Sequence, residues 1–514
     1  MKTPIVDFVT NYKNLNGSRF HMPGHKGQTV LGCEIDDITE VSGADALYEA
    51  SGIIAESEAI ATNLFRTGRT LFSTEGSSQC VKAMLELAKR WWQTKQSENK
   101  KKLFSVDSKD MGQQEKKKES NRPIVIATRN VHKSFLYATI LLDFDIVWLW
   151  PEKEDDSLCS CSTSIEQLEN ALKKQKETRD CENKQEVSLE IGLQEQKQSV
   201  AAVYITSPNY LGGELDIKEI AHICHKYDTL LLVDNAHGAY LRFLTPSRHP
   251  IELGADLCCD SAHKTLPVLT GGAYLHISEN TPKALENQAK QAMELFGSTS
   301  PSYLILQSLD LCNAYLTDGY KEKLYHTILQ VENTKQKLKE YGWNVLTTDP
   351  LRITIKSCFS MSGQELADML RKYHMECEYA DNDYIVLMVT PENKVEDFKC
   401  LEKVMQHIAE EISCNALKKR EDIVRENKVL QKQIPLVKNT QQVLSVREAF
   451  FSLGEVLSVN KALGRICRMP TATCPPAIPI IVPGERIDET AICCFQYYGI
   501  EQVDVVLEDS RDIL

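Results

Sequence analysis

Residues 201–234, AAVYITSPNYLGGELDIKEIAHICHKYDTLLLVD, decide the fold class. AAVYIT (201–206) and TLLLVD (229–234) are apolar runs with no polar alternation, the pattern of strands covered on both faces. Between them, Ile217 to Tyr227 sets Ile220, Ala221, Ile223 and Cys224 on one helical face. Strand, helix and strand joined by short links make a parallel α/β unit. PIVIA at 123–127 repeats the strand pattern upstream, and Gln79 to Arg90 reads as a helix. Downstream, LPVLTGGAYLHI (266–277) reads as a further strand and Tyr303 to Lys339 as one long helix. Asn344–Lys356 and Tyr384–Thr390 read as strands flanking a helix from Gly363 to Tyr373, a smaller α+β unit.

The chain has 514 residues, with 59 Lys+Arg against 72 Asp+Glu and a net charge of −13. That acidic balance argues against a nucleic-acid partner, which requires clustered cations. The longest apolar stretch, Tyr137–Trp150, is broken by Asp143 and Asp145, so no membrane-spanning helix is expected. The N-terminal residues lack an apolar signal core, which points to a cytoplasmic protein. The 17 cysteines include no CxxC pair, so free thiols are expected rather than a disulfide framework or a metal site. Lys/Gln/Glu-rich stretches at about 95–121 and 176–199 read as surface insertions. The expected division is an N-terminal segment (1–45), a large domain (46–310), a small α+β domain (311–414), and a linker with a C-terminal α+β domain (415–514).

In an open parallel sheet, ligands bind beyond the carboxyl ends of the strands. Asp234 closes one strand; alone it reads as readily as a helix cap, but it is also a carboxylate that can face a ring nitrogen. Lys264, in CCDSAHKTL (258–266), stands between two apolar strands, where desolvation would make its amine nucleophilic. Ser77 and Ser78 open a helix, where free amides and the dipole favour a phosphate. His132 follows the PIVIA strand and supplies a flat ring. A phosphate cradle, a ring-nitrogen acid, a lysine and a stacking group are together what pyridoxal phosphate needs.

The motifs RFHMPGHKG (19–27), SPNYLGG (207–213), VDNAHGAY (233–240), SAHKTLP (261–267) and CPPAIPIIVPGERI (474–487) resemble the ornithine/lysine/arginine decarboxylase family. The resemblance implies the aspartate-aminotransferase-like architecture (fold type I), in a short form without an N-terminal wing domain. It implies that Lys264 forms the carbonyl link to pyridoxal 5'-phosphate. Asp234 would pair with the ring nitrogen, and His132 would stack on the ring. Ser77, Ser78, Ser261 and His263 would hold the phosphate, with Ala236 and His237 beside the phenolic oxygen. Glu485, and after it Asp45, would meet the cationic end of the substrate. It further implies a homodimer or higher homo-oligomer, with sites at the interface and Ser300 contributed across it.

The implied reaction is decarboxylation of a basic amino acid in polyamine metabolism. Arginine (to agmatine) comes first, then lysine (to cadaverine) or ornithine (to putrescine). An aminotransferase, a lyase or a non-catalytic cofactor-binding homologue remain the alternatives. The chain departs from the family at Asn235 (usually Glu), Cys474, Ala477, Ala262, Gly271–Gly272 and Glu75, none of which is a cofactor anchor.

Overall fold

The computed structural model describes residues 1–104, 122–153, 157–182, 200–359, 361–420, 435–472 and 477–508. Most of the two expected insertions, and Cys474, lie outside the described residues. The central element is a seven-stranded sheet of β1 (Arg69–Ser73), β2 (Ile124–Thr128), β3 (Asp145–Leu149), β4 (Val200–Thr206), β5 (Leu230–Asp234), β6 (Leu257–Asp260) and β7 (Ala273–Ile277). Their order is β1-β7-β6-β5-β4-β2-β3. β3, β2, β4, β5 and β6 pair in parallel, while β7 runs antiparallel to both β6 and β1. The two reversals restore direction, so the carboxyl end of β1 emerges on the same side as those of β2, β4, β5 and β6.

Both faces of this sheet are covered, which is why its strands carry no alternation. Ala202, Tyr204, Leu230 and Leu232 pack against Val81, Leu85, Phe135 and Leu136, from the Ser77–Phe104 and Lys133–Leu142 helices. Their neighbours Val203, Ile205, Leu231 and Val233 face Ile217, Ile220 and Leu172 on the opposite side. The two-residue period of the strands thus feeds two apolar layers. The fold is the expected α/β class with a mainly parallel sheet.

Three expectations need revision. Leu266–Gly272 is loop, and only Ala273–Ile277 is strand. The long helix is two helices, Tyr303–Thr317 and Tyr320–Glu340, broken where Gly319 takes the left-handed conformation at φ +69°. Asn344–Lys356 divides into Asn344–Val345 and Arg352–Lys356 around Pro350. The apolar stretch at 137–150 is interrupted where its aspartates suggest: Asp143, at φ +58°, ends the Lys133–Leu142 helix and the chain turns into β3. Among the described residues, no helix is long and apolar enough to cross a membrane.

A second, four-stranded sheet holds Tyr379–Ala380, Tyr384–Met388, Arg352–Lys356 and Asn344–Val345. The Tyr303–Thr317 helix runs through the domain boundary expected at 310. Its Asp310 accepts hydrogen bonds from the amides of Ile5 and Val6 at 2.9 and 3.1 Å, fastening the N-terminal helix to it.

Candidate active site

A cavity of about 330 Å³ lies where five strand ends meet, within the usual range of small-molecule sites. β1 leads to Gly76, Ser77 and Ser78; β2 to Asn130 and His132; β4 to Thr206 and Tyr210. β5 contributes Asp234, Ala236 and His237, and β6 leads to Ser261, His263 and Lys264. Glu378, beside the second sheet, and Ala477 with Ile478 complete the wall.

Asp234 is 4% exposed, and its carboxylate is fixed by three donors. Tyr204 Oη donates to Oδ2 at 3.0 Å, while the Ala236 amide and the Cys259 thiol donate to Oδ1 at 3.2 and 3.6 Å. These bonds fix the orientation of the carboxylate. Lys264 lies in the single turn Ala262–Thr265, with Nζ 3.0 Å from His237 Nε2. Burial lowers the pKa of this amine, and the attraction of Asp234 and Glu378 opposes that only in part. Burial also drives the pKa of His237 well below its ordinary value, so a neutral ring stands beside the amine.

His132 caps the Lys133–Leu142 helix: its Nδ1 accepts the Ser134 amide at 3.2 Å, which fixes the ring's orientation. Burial lowers its pKa too. His263 lies 3.0 Å through Nδ1 from the Gly272 carbonyl, leaving Nε2 for the cavity. Ser261 Oγ donates to Ser77 Oγ at 2.8 Å, so hydroxyls from β6 and from the helix N-terminus meet at one point.

Pyridoxal phosphate fits this donor set. The hydroxyls of Ser77, Ser78 and Ser261 gather at the positive end of a helix, as a phosphate requires. Lys264 and Asp234 line the same cavity. Thr206 Oγ1 and Asn130 Oδ1, from two further lining residues, are buried with no hydrogen-bond partner among the described residues.

The structure gathers every expected cofactor residue at this cavity and keeps both expected substrate residues away from it. Glu485, 1% exposed, pairs with Arg129 Nη2 at 2.9 Å and accepts the Val482 amide at 2.8 Å. The Asp45 carboxylate accepts the amides of Ser51, Gly52 and Ile54 ahead of and within the Ile53–Phe65 helix. Both are acids already committed to backbone and ion-pair partners. Sequence reading missed Tyr210 and Glu378. Tyr210 stands inside SPNYLGG and could have been found there. Glu378 carries no motif and reaches the cavity only through the packing of the second sheet.

Residues 115–411 match the family model described as "Orn/Lys/Arg decarboxylase, major domain". The chain belongs to the Orn/Lys/Arg decarboxylase family. It is a pyridoxal-phosphate-dependent amino acid decarboxylase. Among its relatives, an arginine decarboxylase of Bacillus subtilis is 24% identical over 521 residues, covering 96% of this chain and 92% of that one. An arginine decarboxylase of Halalkalibacterium halodurans is 25% identical, covering 95% and 92%. Among solved structures, lysine decarboxylase A from Pseudomonas aeruginosa superposes with a TM-score of 0.75 at 16% identity, covering 98% of this chain and 80% of that one. The E. coli constitutive lysine decarboxylase gives a TM-score of 0.73 at 14% identity, covering 98% and 82%. The decarboxylase therefore shares its fold with these enzymes over nearly its whole length.

Bound in this cavity, pyridoxal phosphate supplies the sink for the electron pair left when the α-carboxylate bond breaks. The protein's part is orientation and charge. Asp234 presents a carboxylate held in place by three donors. Lys264 offers an amine that burial biases toward its unprotonated form, the form that attacks a carbonyl. His132 presents a neutral ring in a locked orientation. Ala477 and Ile478 shield the cavity from water along one wall.

Proposed function

We propose that this decarboxylase acts on arginine, releasing CO₂ and agmatine. We assign the roles above to Lys264, Asp234, His132, Ser77, Ser78, Ser261, His263, Ala236 and His237. Glu378 is the observation that supports a basic substrate. It and Asp234 are the acidic residues lining the cavity, and Lys264 is the lone lining Lys or Arg among the described residues. With Asp234 committed to the cofactor, Glu378 is the charge that a cationic side chain meets. Tyr210 Oη orients it by donating to Oε1 at 2.8 Å. The names of the relatives favour arginine within that class.

Supplying arginine, lysine and ornithine separately tests this reading. Agmatine as the dominant amine is the expected product. Cadaverine or putrescine would move the substrate within the class, and a keto acid in place of any amine would remove the reading. Glu378→Gln is expected to raise KM for the preferred substrate about 10- to 100-fold. That is the loss of one charge-assisted contact of about 1.5–3 kcal/mol. Steady-state kinetics on the purified variant checks it.

The reading includes assembly with further copies of the chain. Phe20, Met22, Val30 and Leu31 near the N-terminus are 96%, 66%, 80% and 87% exposed, a density of apolar surface that supports a protein contact.

A further inference from the structure

Directly beneath the cavity lies a buried polar cluster that the chemistry above does not use. β5 and β6 pair up to Asp234↔Cys259, and the Asn235 amide then donates to the Cys259 carbonyl at 3.0 Å. One step further, the contact passes to side chains: Asn235 Nδ2 donates to Asp260 Oδ1 at 2.7 Å. The other oxygen, Oδ2, is 3.1 Å from His249 Nε2 and 3.1 Å from His276 Nε2. Thr70 Oγ1 meets His276 Nδ1 at 2.9 Å. Thr70, Asn235, His249, Asp260 and His276 are all fully buried, and none lines the cavity. Yet Asn235 follows Asp234 directly, and Asp260 precedes Ser261, three residues before Lys264.

We propose that the Asn235–Asp260 contact is a brace that sets the spacing between the two strand ends carrying Asp234 and Ser261–Lys264, making Asn235 a positioning residue for cofactor binding. The brace depends on an amide facing a carboxylate. The two imidazole donors hold the Asp260 carboxyl well below the usual carboxylate range despite its burial. Burial lowers the pKa of His276, so that ring donates as a neutral group. The thiols of Cys258, Cys259 and Cys80 and the phenol of Tyr274 also sense Asp260, and burial pushes all four up, keeping them uncharged. Asp234 is a further charge sensed by Cys258 and Cys259, and Asp310 one sensed by Tyr274. A carboxylate at 235 would set oxygen against oxygen, and the pair would hold together only by sharing a proton. Space is tight as well: a Cβ on Gly238 would lie 2.0 Å from Asn235 Oδ1.

The inference rests on Asp234 and Lys264 being cofactor anchors, and its test separates the two ideas. Pyridoxal phosphate is titrated into the full-length apoenzyme of wild type, Asn235→Asp and Asn235→Ala from pH 6 to 9. Affinity is read from visible absorbance, and the apoprotein melting temperature is followed in parallel. Relative to wild type at each pH, Asn235→Asp should bind nearly normally at pH 6, where the pair can share a proton. It should lose about tenfold or more by pH 8.5, with melting temperature held. Asn235→Ala should lose affinity at every pH; if it does not fold, Asn235→Asp at pH 6 carries the comparison. A flat ratio for Asn235→Asp, or loss of affinity only where the apoprotein itself melts, overturns the brace. A wild-type protein that takes up no cofactor overturns the anchor assignment beneath it.

Discussion

Lys264→Ala is expected to lower decarboxylation at least about 10³-fold while leaving the protein folded. The first half follows from the cavity's chemistry. Lys264 is the lone amine among the described lining residues, so no neighbouring lysine can replace it. Its Nζ approaches His237 Nε2, and burial lowers its pKa in spite of Asp234 and Glu378. The second half follows from what the side chain does not do. Among the described residues no ion pair or backbone contact depends on its ammonium, and removing a partly desolvated amine relieves a cost that burial imposes. CO₂ release from the preferred substrate, measured beside thermal melting, checks both halves. Retained turnover in a folded variant would remove Lys264 from the reaction. Cofactor should still bind weakly, because Ser77, Ser78, Ser261 and Asp234 remain, but without the visible band of the wild-type protein.

What sequence reading recovered and what it missed divide along one physical line. The β4–helix–β5 unit, the Asp234 strand end and the Ser77–Ser78 helix start are local features. Each is written in a stretch of about a dozen residues, by hydrophobic period or by capping chemistry. The single-helix reading of 303–339 failed where Gly319 offers the backbone a left-handed turn that composition averages over. The substrate end failed for a different reason. Glu485 and Asp45 are acids in distinctive motifs, but whether an acid is free to meet a ligand depends on partners far away in sequence. Arg129 is 356 positions from Glu485. Glu378, which does face the cavity, sits in the unremarkable run MECEY (375–379), and Asp260 meets His249, His276 and Asn235 only after three strands have paired.

Glu485→Ala is expected to destabilise the protein by about 3–5 kcal/mol, the cost of leaving a buried charge without its partner. The stranded group would be Arg129, 6% exposed and stacked near Trp148 and Trp150 at 4.8 and 5.3 Å. Among the described residues its Nε and Nη1 have no hydrogen-bond partner, so there the Glu485 carboxylate and the Ile480 carbonyl satisfy what is satisfied of this guanidinium. Glu485 also accepts the Val482 amide and the Thr440 hydroxyl, fastening the C-terminal segment against the end of β2. From that segment, the Ala477 carbonyl accepts the Lys133 amide at 3.0 Å, next to His132, and Ala477 with Ile478 walls the cavity. Loss of the ion pair should therefore lower the melting temperature and the denaturant midpoint first, and loosen the cavity wall second. Glu485→Gln keeps the hydrogen bonds without the charge and should fall between the variant and wild type. A substrate-binding role predicts the reverse order: a raised KM with unchanged unfolding. Equilibrium denaturation and steady-state kinetics on the same two variants decide between them, and stability left intact by Glu485→Ala would return this residue to the substrate.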